Sequence, residues 1–90
     1  MRLRSLAQGR DCQVRLVGIC NGNPETTVLA HFRLIGVSGM GRKSPDLIGA
    51  WACSACHSHV DSHKDCQTER DFLKGVIRTI YTLIEEGEVR

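Results

Sequence analysis

Two kinds of residue in this sequence could do chemistry: a scatter of cysteines around a CxxC pair, and histidines near it. Cys53-Ser54-Ala55-Cys56 is a CxxC knuckle with His57 directly after it. That spacing lets two sulfurs converge from one turn. Upstream, Cys12 and Cys20 bracket a short turn-forming segment, a C-x7-C gap wider than the usual knuckle that must close through a hairpin. Four thiolates from two separate turns suit a tetrahedral zinc of the structural kind. The alternative is that Cys12 and Cys20 are simply buried thiols. A redox CxxC is disfavoured, because no βαβ pattern surrounds it. Cys66 lies three residues after His63 and is expected to be a free thiol. His59 and His63, four apart, are read as surface residues.

The second candidate is glycine-rich IGVSGMGRKSPD, residues 35–46. Gly36 and Gly41 have the separation of a phosphate-binding P-loop. However, Arg42 holds the lysine position, Lys43 and Ser44 arrive one residue late, and Pro45 opposes helix at Ser44. A nucleotide fold is excluded on those grounds and by length. The third is His31, within the apolar run VLAHFRL, with Arg33 on the same face by the two-residue strand period. By itself a strand histidine is an ordinary structural residue.

The elements that must position these residues are legible in outline. Residues 13–19 (QVRLVGI) read as a short strand or hairpin arm, and NGNPET (21–26) as a turn. Residues 27–35 are β-branched and apolar, the best strand in the chain. Residues 46–52 (DLIGAWA) return as a second strand, so the glycine-rich loop joins two antiparallel arms. From Ser54 the pattern turns helical. A longer helix is expected over 68–86, with Phe72, Val76, Ile80 and Ile84 as its core stripe, widened by Leu73 and Ile77. Thr68 with Asp71 is its expected capping box, and Gly87 its stop.

Ninety residues with one Trp, one Tyr and two Phe make one small domain, for which a metal or partner is the expected staple. Charge is uneven. Residues 1–44 carry seven Lys/Arg against Asp11 and Glu25, whereas residues 45–90 carry five against eight acidic groups. A basic front half suits a polyanion such as nucleic acid. The opening MRLRSLAQGRD holds no apolar run long enough for a signal peptide, and no stretch approaches a membrane span. A cytoplasmic location in a bacterial host cell is expected, where an odd number of cysteines argues for metal over disulfides.

The order of parts (cysteine pair, strand ending in His31, loop, second strand, CxxCH opening a helix) resembles the HNH nucleases. The resemblance spans residues 11–65, and residues 1–90 are then one HNH-like domain. More narrowly, RDCQVRLVGICNGNPETTVLAHFRL with DLIGAWACSACH is similar to small proteins of lambdoid phages and prophages described as nucleases. The resemblance implies an α+β, ββα-metal (HNH or treble-clef-like) fold with zinc knuckles and a long C-terminal helix. It implies a metal-dependent endonuclease hydrolysing phosphodiester bonds in DNA. His31 matches the general base, a role suited to an imidazole titrating near neutrality. His57 matches the histidine that holds a catalytic divalent ion, Mg²⁺ by default or Mn²⁺. Cys12, Cys20, Cys53 and Cys56 match a structural Zn²⁺ site.

Two positions depart from the HNH pattern. Ala30 stands where many members have an acidic metal ligand, and no Asn lies between His31 and Cys53. Asp46, the only carboxylate in that interval, is expected either to bind the metal or to orient His31; Asp61 is a second candidate ligand. Arg33, Arg42 and Lys43 are expected on the phosphates. A nuclease this small that cuts both strands is expected to act as a homodimer or with a phage recombination or replication partner. The competing readings are a zinc-stabilised nucleic-acid-binding module without catalysis, and an interaction domain using the C-terminal helix.

Overall fold

In the computed structural model, residues 3–33 and 45–88 are described. The elements run α1 (Leu3–Leu6), a 3₁₀ turn (Pro24–Thr26), β1 (Val28–His31), β2 (Gly49–Ala52), α2 (Ser54–Ser62) and α3 (Cys66–Glu85). It is a small α+β arrangement. β1 and β2 form a two-stranded antiparallel sheet in the register Val28↔Ala52, Leu29↔Trp51, Ala30↔Ala50, His31↔Gly49. Phe32 N–H donates to Ile48 C=O at 2.9 Å and carries the pairing one step further.

Every residue of β2 is buried, so it has a core on both faces. Ala50 and Ala52 point into a cluster with Val14, Leu16, Phe32, Phe72 and Val76. Trp51, between them, points the opposite way to Leu3, Ala7 and Leu83. This is the two-residue strand period at work. The outer edge of β2 is also closed. Trp51 N–H donates to Thr79 Oγ1 of α3 at 3.0 Å, and Trp51 C=O accepts from Gln13 N–H at 2.6 Å. A two-stranded sheet in water is marginal, and α3 supplies both the missing hydrogen bond and the packing. Phe32 and Phe72 meet edge to face with ring centres 5.1 Å apart, which fastens the end of β1 to the start of α3.

The long helix begins and ends by clear local chemistry. Its N-cap is Asp65, which accepts from Thr68 N–H at 3.0 Å and from the Thr68 hydroxyl at 2.8 Å. The expected Thr68–Asp71 box is therefore displaced: Thr68 is the donor, and the cap lies three residues earlier. Gly87 ends the helix as expected, at φ +77°. Its N–H donates to Ile84 C=O, and Glu88 N–H donates to Leu83 C=O. Those two bonds form a Schellman motif.

The buried face of α3 is Thr68, Phe72, Gly75, Val76, Thr79 and Leu83. This corrects the expected stripe. Phe72 and Val76 are core and Ile80 is partly buried, but Leu73, Ile77 and Ile84 face solvent. Two small residues take their place because the helix lies close against its neighbours. A Cβ on Gly75 would come within 3.0 Å of Val14 Cα and 3.1 Å of Gln13 O. Gly75→Ala is therefore expected to destabilise the protein by about 1–2 kcal/mol. The helix-propensity gain of about 1 kcal/mol is outweighed because backbone atoms cannot rotate aside. Urea unfolding measures the sign, and a stabilised variant would refute this account of the contact.

The expected strand at 13–19 is a different structure. Ile19 N–H and Cys20 N–H both donate to Leu16 C=O, closing a tight turn, and Gly18 has φ +77°. No helix among the described residues is long and apolar enough to cross a membrane.

Candidate metal centre and active site

The turn at 16–20 exists to bring sulfurs together. Cys12 and Cys20 flank it, and Cys53 and Cys56 arrive from the junction of β2 and α2. The four Sγ atoms all lie within 4.8 Å of one another, three of the residues buried and Cys20 partly so. Cys20 Sγ and Cys53 Sγ are 3.8 Å apart. In a tetrahedral site with Zn–S near 2.3 Å, neighbouring sulfurs are separated by about 3.8 Å. Backbone donors also face the sulfurs. Arg15 N–H points to Cys12 Sγ and Cys56 N–H to Cys53 Sγ, each at 3.4 Å. Gly22 N–H reaches Cys20, Asn21 N–H reaches Cys53 and Leu16 N–H reaches Cys56.

Such donors favour thiolate, and burial opposes it. At Cys53 burial acts upward, yet the Cys56 and Asn21 amides and the neighbouring thiols bring the group down to about 7. At Cys56 and Cys20 burial prevails and the thiols are pushed up. Four sulfurs so placed could hold a divalent cation, which would keep its ligands deprotonated. The donor set fits a metal such as zinc.

Cys53 has a second job. It is the N-cap of α2, accepting from Cys56 N–H, so the side chain that starts the helix is also one of the four clustered sulfurs. Cys66 stands apart, exposed at the first turn of α3.

His31 sits at the end of β1, part-buried, with its Nε2 2.8 Å from Asp46 Oδ1. The same oxygen accepts from Arg4 Nε at 3.2 Å. The His31 bond, chiefly, and then the Arg4 guanidinium hold the Asp46 carboxyl below its usual range. An ionised carboxylate can only accept, so in this contact Asp46 Oδ1 is the acceptor and His31 Nε2 the donor. Asp46 therefore meets both His31 and Arg4 through one oxygen. Arg4 was not foreseen, because a partner 42 residues away leaves no local signal.

His57 lies on α2 with its Nε2 3.5 Å from Asp61 Oδ2, one helical turn on. A cavity of ≈190 Å³ opens between the end of β1, α2 and the start of α3. His31, Arg33, Asp61, His63 and Lys64 line it, and His57 does not. Asp61 is the link, lining the cavity and pairing with His57. Among the described residues, only the four cysteines form a cluster of three or more potential metal ligands. His63 and Lys64 escaped notice as cavity residues because the sequence shows them only as polar positions at a helix end. His59 and His63 stack face to face, centroids 3.9 Å apart, at the exit of α2. The expected phosphate contacts Arg42 and Lys43 lie outside the described residues.

A third carboxylate closes the molecule. Glu86 accepts two bonds from the Arg10 guanidinium, one at 2.7 Å, and Arg10 also lies over the Trp51 ring at 4.5 Å. Arg10 holds the Glu86 carboxyl below its usual range. A group depressed on folding stabilises above its unfolded pKa, and that contribution is lost as pH falls through the folded value. The stability gap between wild type and Glu86→Gln is therefore expected to be constant above about pH 5 and to close below about pH 4. Urea midpoints measured in parallel on the two proteins test this, since losses common to both cancel. A gap that widens in acid would contradict it.

Comparison with known proteins places this arrangement. A family model described as "Putative nuclease YbcO" matches residues 1–88. Two relatives, "Putative nuclease YbcO" of Escherichia coli (strain K12) and "Putative nuclease ybcO" of Enterobacteria phage 82, are each 47% identical over 97 residues. Those alignments cover 98% of this chain and 96% of the relative. A solved structure titled "Structure of a putative bacteriophage protein from Escherichia coli str. K-12 substr. MG1655" matches with TM-score 0.78 and 43% identity, over 96% of this chain and 100% of that one. This chain belongs to the phage- and prophage-associated family described as "Putative nuclease YbcO".

Proposed function

We propose that this protein is a metal-dependent endonuclease of the HNH type that hydrolyses phosphodiester bonds in DNA, with His31 as general base. The observation that carries the reading is the Asp46–His31 bond beside a cavity edged by Arg33 and Lys64. An ionised carboxylate on Nε2 favours the tautomer that leaves Nδ1 as the basic nitrogen, and stabilises the imidazolium once a proton is taken. His31 Nδ1 removes a proton from the attacking water. Arg33 and Lys64 draw the phosphate backbone in and offset its charge, a contribution that weakens with salt and reads no sequence. Arg42 and Lys43, in the connection between β1 and β2, are assigned the same task.

His57 and Asp61 are the chain's offer to a catalytic divalent ion. An imidazole nitrogen and a carboxylate oxygen on one helix face form a partial ligand set that water completes, which suits Mg²⁺ or Mn²⁺. Bound there, such an ion would supply charge stabilisation for the phosphate and leaving oxygen. Asp46, engaged by both His31 and Arg4, is a positioning residue in this reading and not a ligand. The four cysteines hold zinc and play no part in the reaction.

Incubating supercoiled plasmid with the protein and Mg²⁺ or Mn²⁺ is the test. Nicking by wild type that His31→Ala abolishes supports the reading. Zinc-loaded protein that binds DNA without cutting it would make this a binding module.

A further inference from the structure

Helix α3 is apolar on two opposite faces, and the fold uses one. The inward face packs on β2. On the outward face Leu73, Ile77, Tyr81 and Ile84 are 46%, 59%, 62% and 51% exposed. Their spacing of four, four and three places them on a single line along the helix. Isolated exposed apolar side chains are ordinary, but four in one line mark an interaction surface. Lys74 and Glu85, both exposed, flank this line on one side near opposite ends. Neither has an ion-pair partner among the described residues.

We infer that this face joins two copies of the chain as an antiparallel α3–α3 pair about a two-fold axis level with Thr79. The charges select this occupant and this direction. Antiparallel pairing about that axis sets Lys74 of each copy beside Glu85 of the other. The same register sets Leu73 opposite Ile84 and Ile77 opposite Tyr81, so apolar meets apolar along the seam. A two-fold axis makes every contact twice. Parallel pairing would set Lys74 against Lys74 and Glu85 against Glu85, which repel. A single helix pair is smaller than the roughly 800 Å² per partner of a standard stable interface, so the pair forms in a concentration-dependent equilibrium. Cys66 begins the same helix, but antiparallel pairing leaves the two copies of it on the order of 35 Å apart. The dimer therefore owes nothing to a disulfide. This inference stands apart from the nuclease reading, because none of its residues lies in the cavity beside His31.

Sedimentation equilibrium of the zinc-loaded full chain across the micromolar range tests it. The expected mass is twice the 10.0 kDa of the chain, unchanged by reductant or by Cys66→Ser. Ile77→Glu should weaken self-association at least tenfold while leaving the circular dichroism spectrum intact. Lys74→Glu and Glu85→Lys should each weaken it, and the two together should restore it to within threefold. A wild type that stays monomeric, or a dimer indifferent to Ile77→Glu, overturns the inference. A double reversal no better than either single one overturns the antiparallel register.

Discussion

Removing the metal from the four-cysteine centre is expected to unfold the protein. Three of the four clustered cysteines, Cys12, Cys53 and Cys56, are members of the main hydrophobic cluster, and Cys20 packs against it. The centre ties the 12–20 turn to the β2–α2 junction, two segments otherwise joined by the Gln13 N–H to Trp51 C=O bond and by core packing. Losing the metal leaves sulfurs that must take up protons inside the core, beside backbone donors arranged for thiolates. It also weakens the first turn of α2, whose cap is Cys53. Structural zinc contributes roughly 10–16 kcal/mol of apparent binding free energy near neutral pH. A domain of this size holds only about 5–10 kcal/mol in total.

The larger number decides the outcome. Chelation at pH 7 should abolish the helical circular dichroism signal, and stoichiometric zinc should restore it. Cys53→Ser should fail to fold at any reasonable zinc concentration, whereas Cys66→Ser, outside the cluster, should behave as wild type. Elemental analysis should return about one zinc per chain. Protein that keeps its helix signal after complete metal removal would defeat the assignment.

How far this could be read from the sequence depended on the range of the interaction. The CxxC pair, the turn at NGNPET and the stop at Gly87 are local events governed by a few neighbouring residues, and they stand in the fold as the sequence suggests. The two strands are also there, at Val28–His31 and Gly49–Ala52 among the described residues.

What failed was the face of α3. Hydropathy favours Leu73, Ile77 and Ile84 over Gly75 and Thr79, yet the fold buries the latter two. Close approach to Val14 leaves no room for a Cβ at Gly75, and the β2 edge needs the Thr79 hydroxyl. Neither demand is visible without the partner surface. Residues 13–19 failed for a related reason: their partial alternation of polar and apolar residues mimics a strand, but closing the cysteine pair requires a turn. In the candidate site, His31 and Asp46 were legible as a pair because one segment contains both. Arg4 and the cavity residues His63 and Lys64 depend on tertiary contacts, which the spacing of residues does not encode.

The His31–Asp46–Arg4 chain grades the expected losses of DNA cleavage. His31→Ala removes the proposed general base and should lower the rate by about 10²–10⁴-fold, the usual contribution of a positioned proton acceptor. Asp46→Asn keeps the shape but not the charge. An Asn amide turned toward Nε2 would impose the wrong tautomer and point an N–H, not a lone pair, at the water. A loss approaching that of His31→Ala is therefore expected, about 10²–10⁴-fold, with DNA affinity kept. Arg4→Ala should cost far less, because Asp46 retains its 2.8 Å bond to His31.

If Asp46 were instead a metal ligand, Asp46→Asn would be rescued by raising Mn²⁺, and Arg4→Ala would tighten metal binding by freeing the carboxylate. Single-turnover cleavage over a metal titration separates the two. The positioning role requires a rate defect that persists at saturating metal, with the metal midpoint unmoved. A midpoint that shifts while the saturated rate recovers would return Asp46 to the metal's ligand shell.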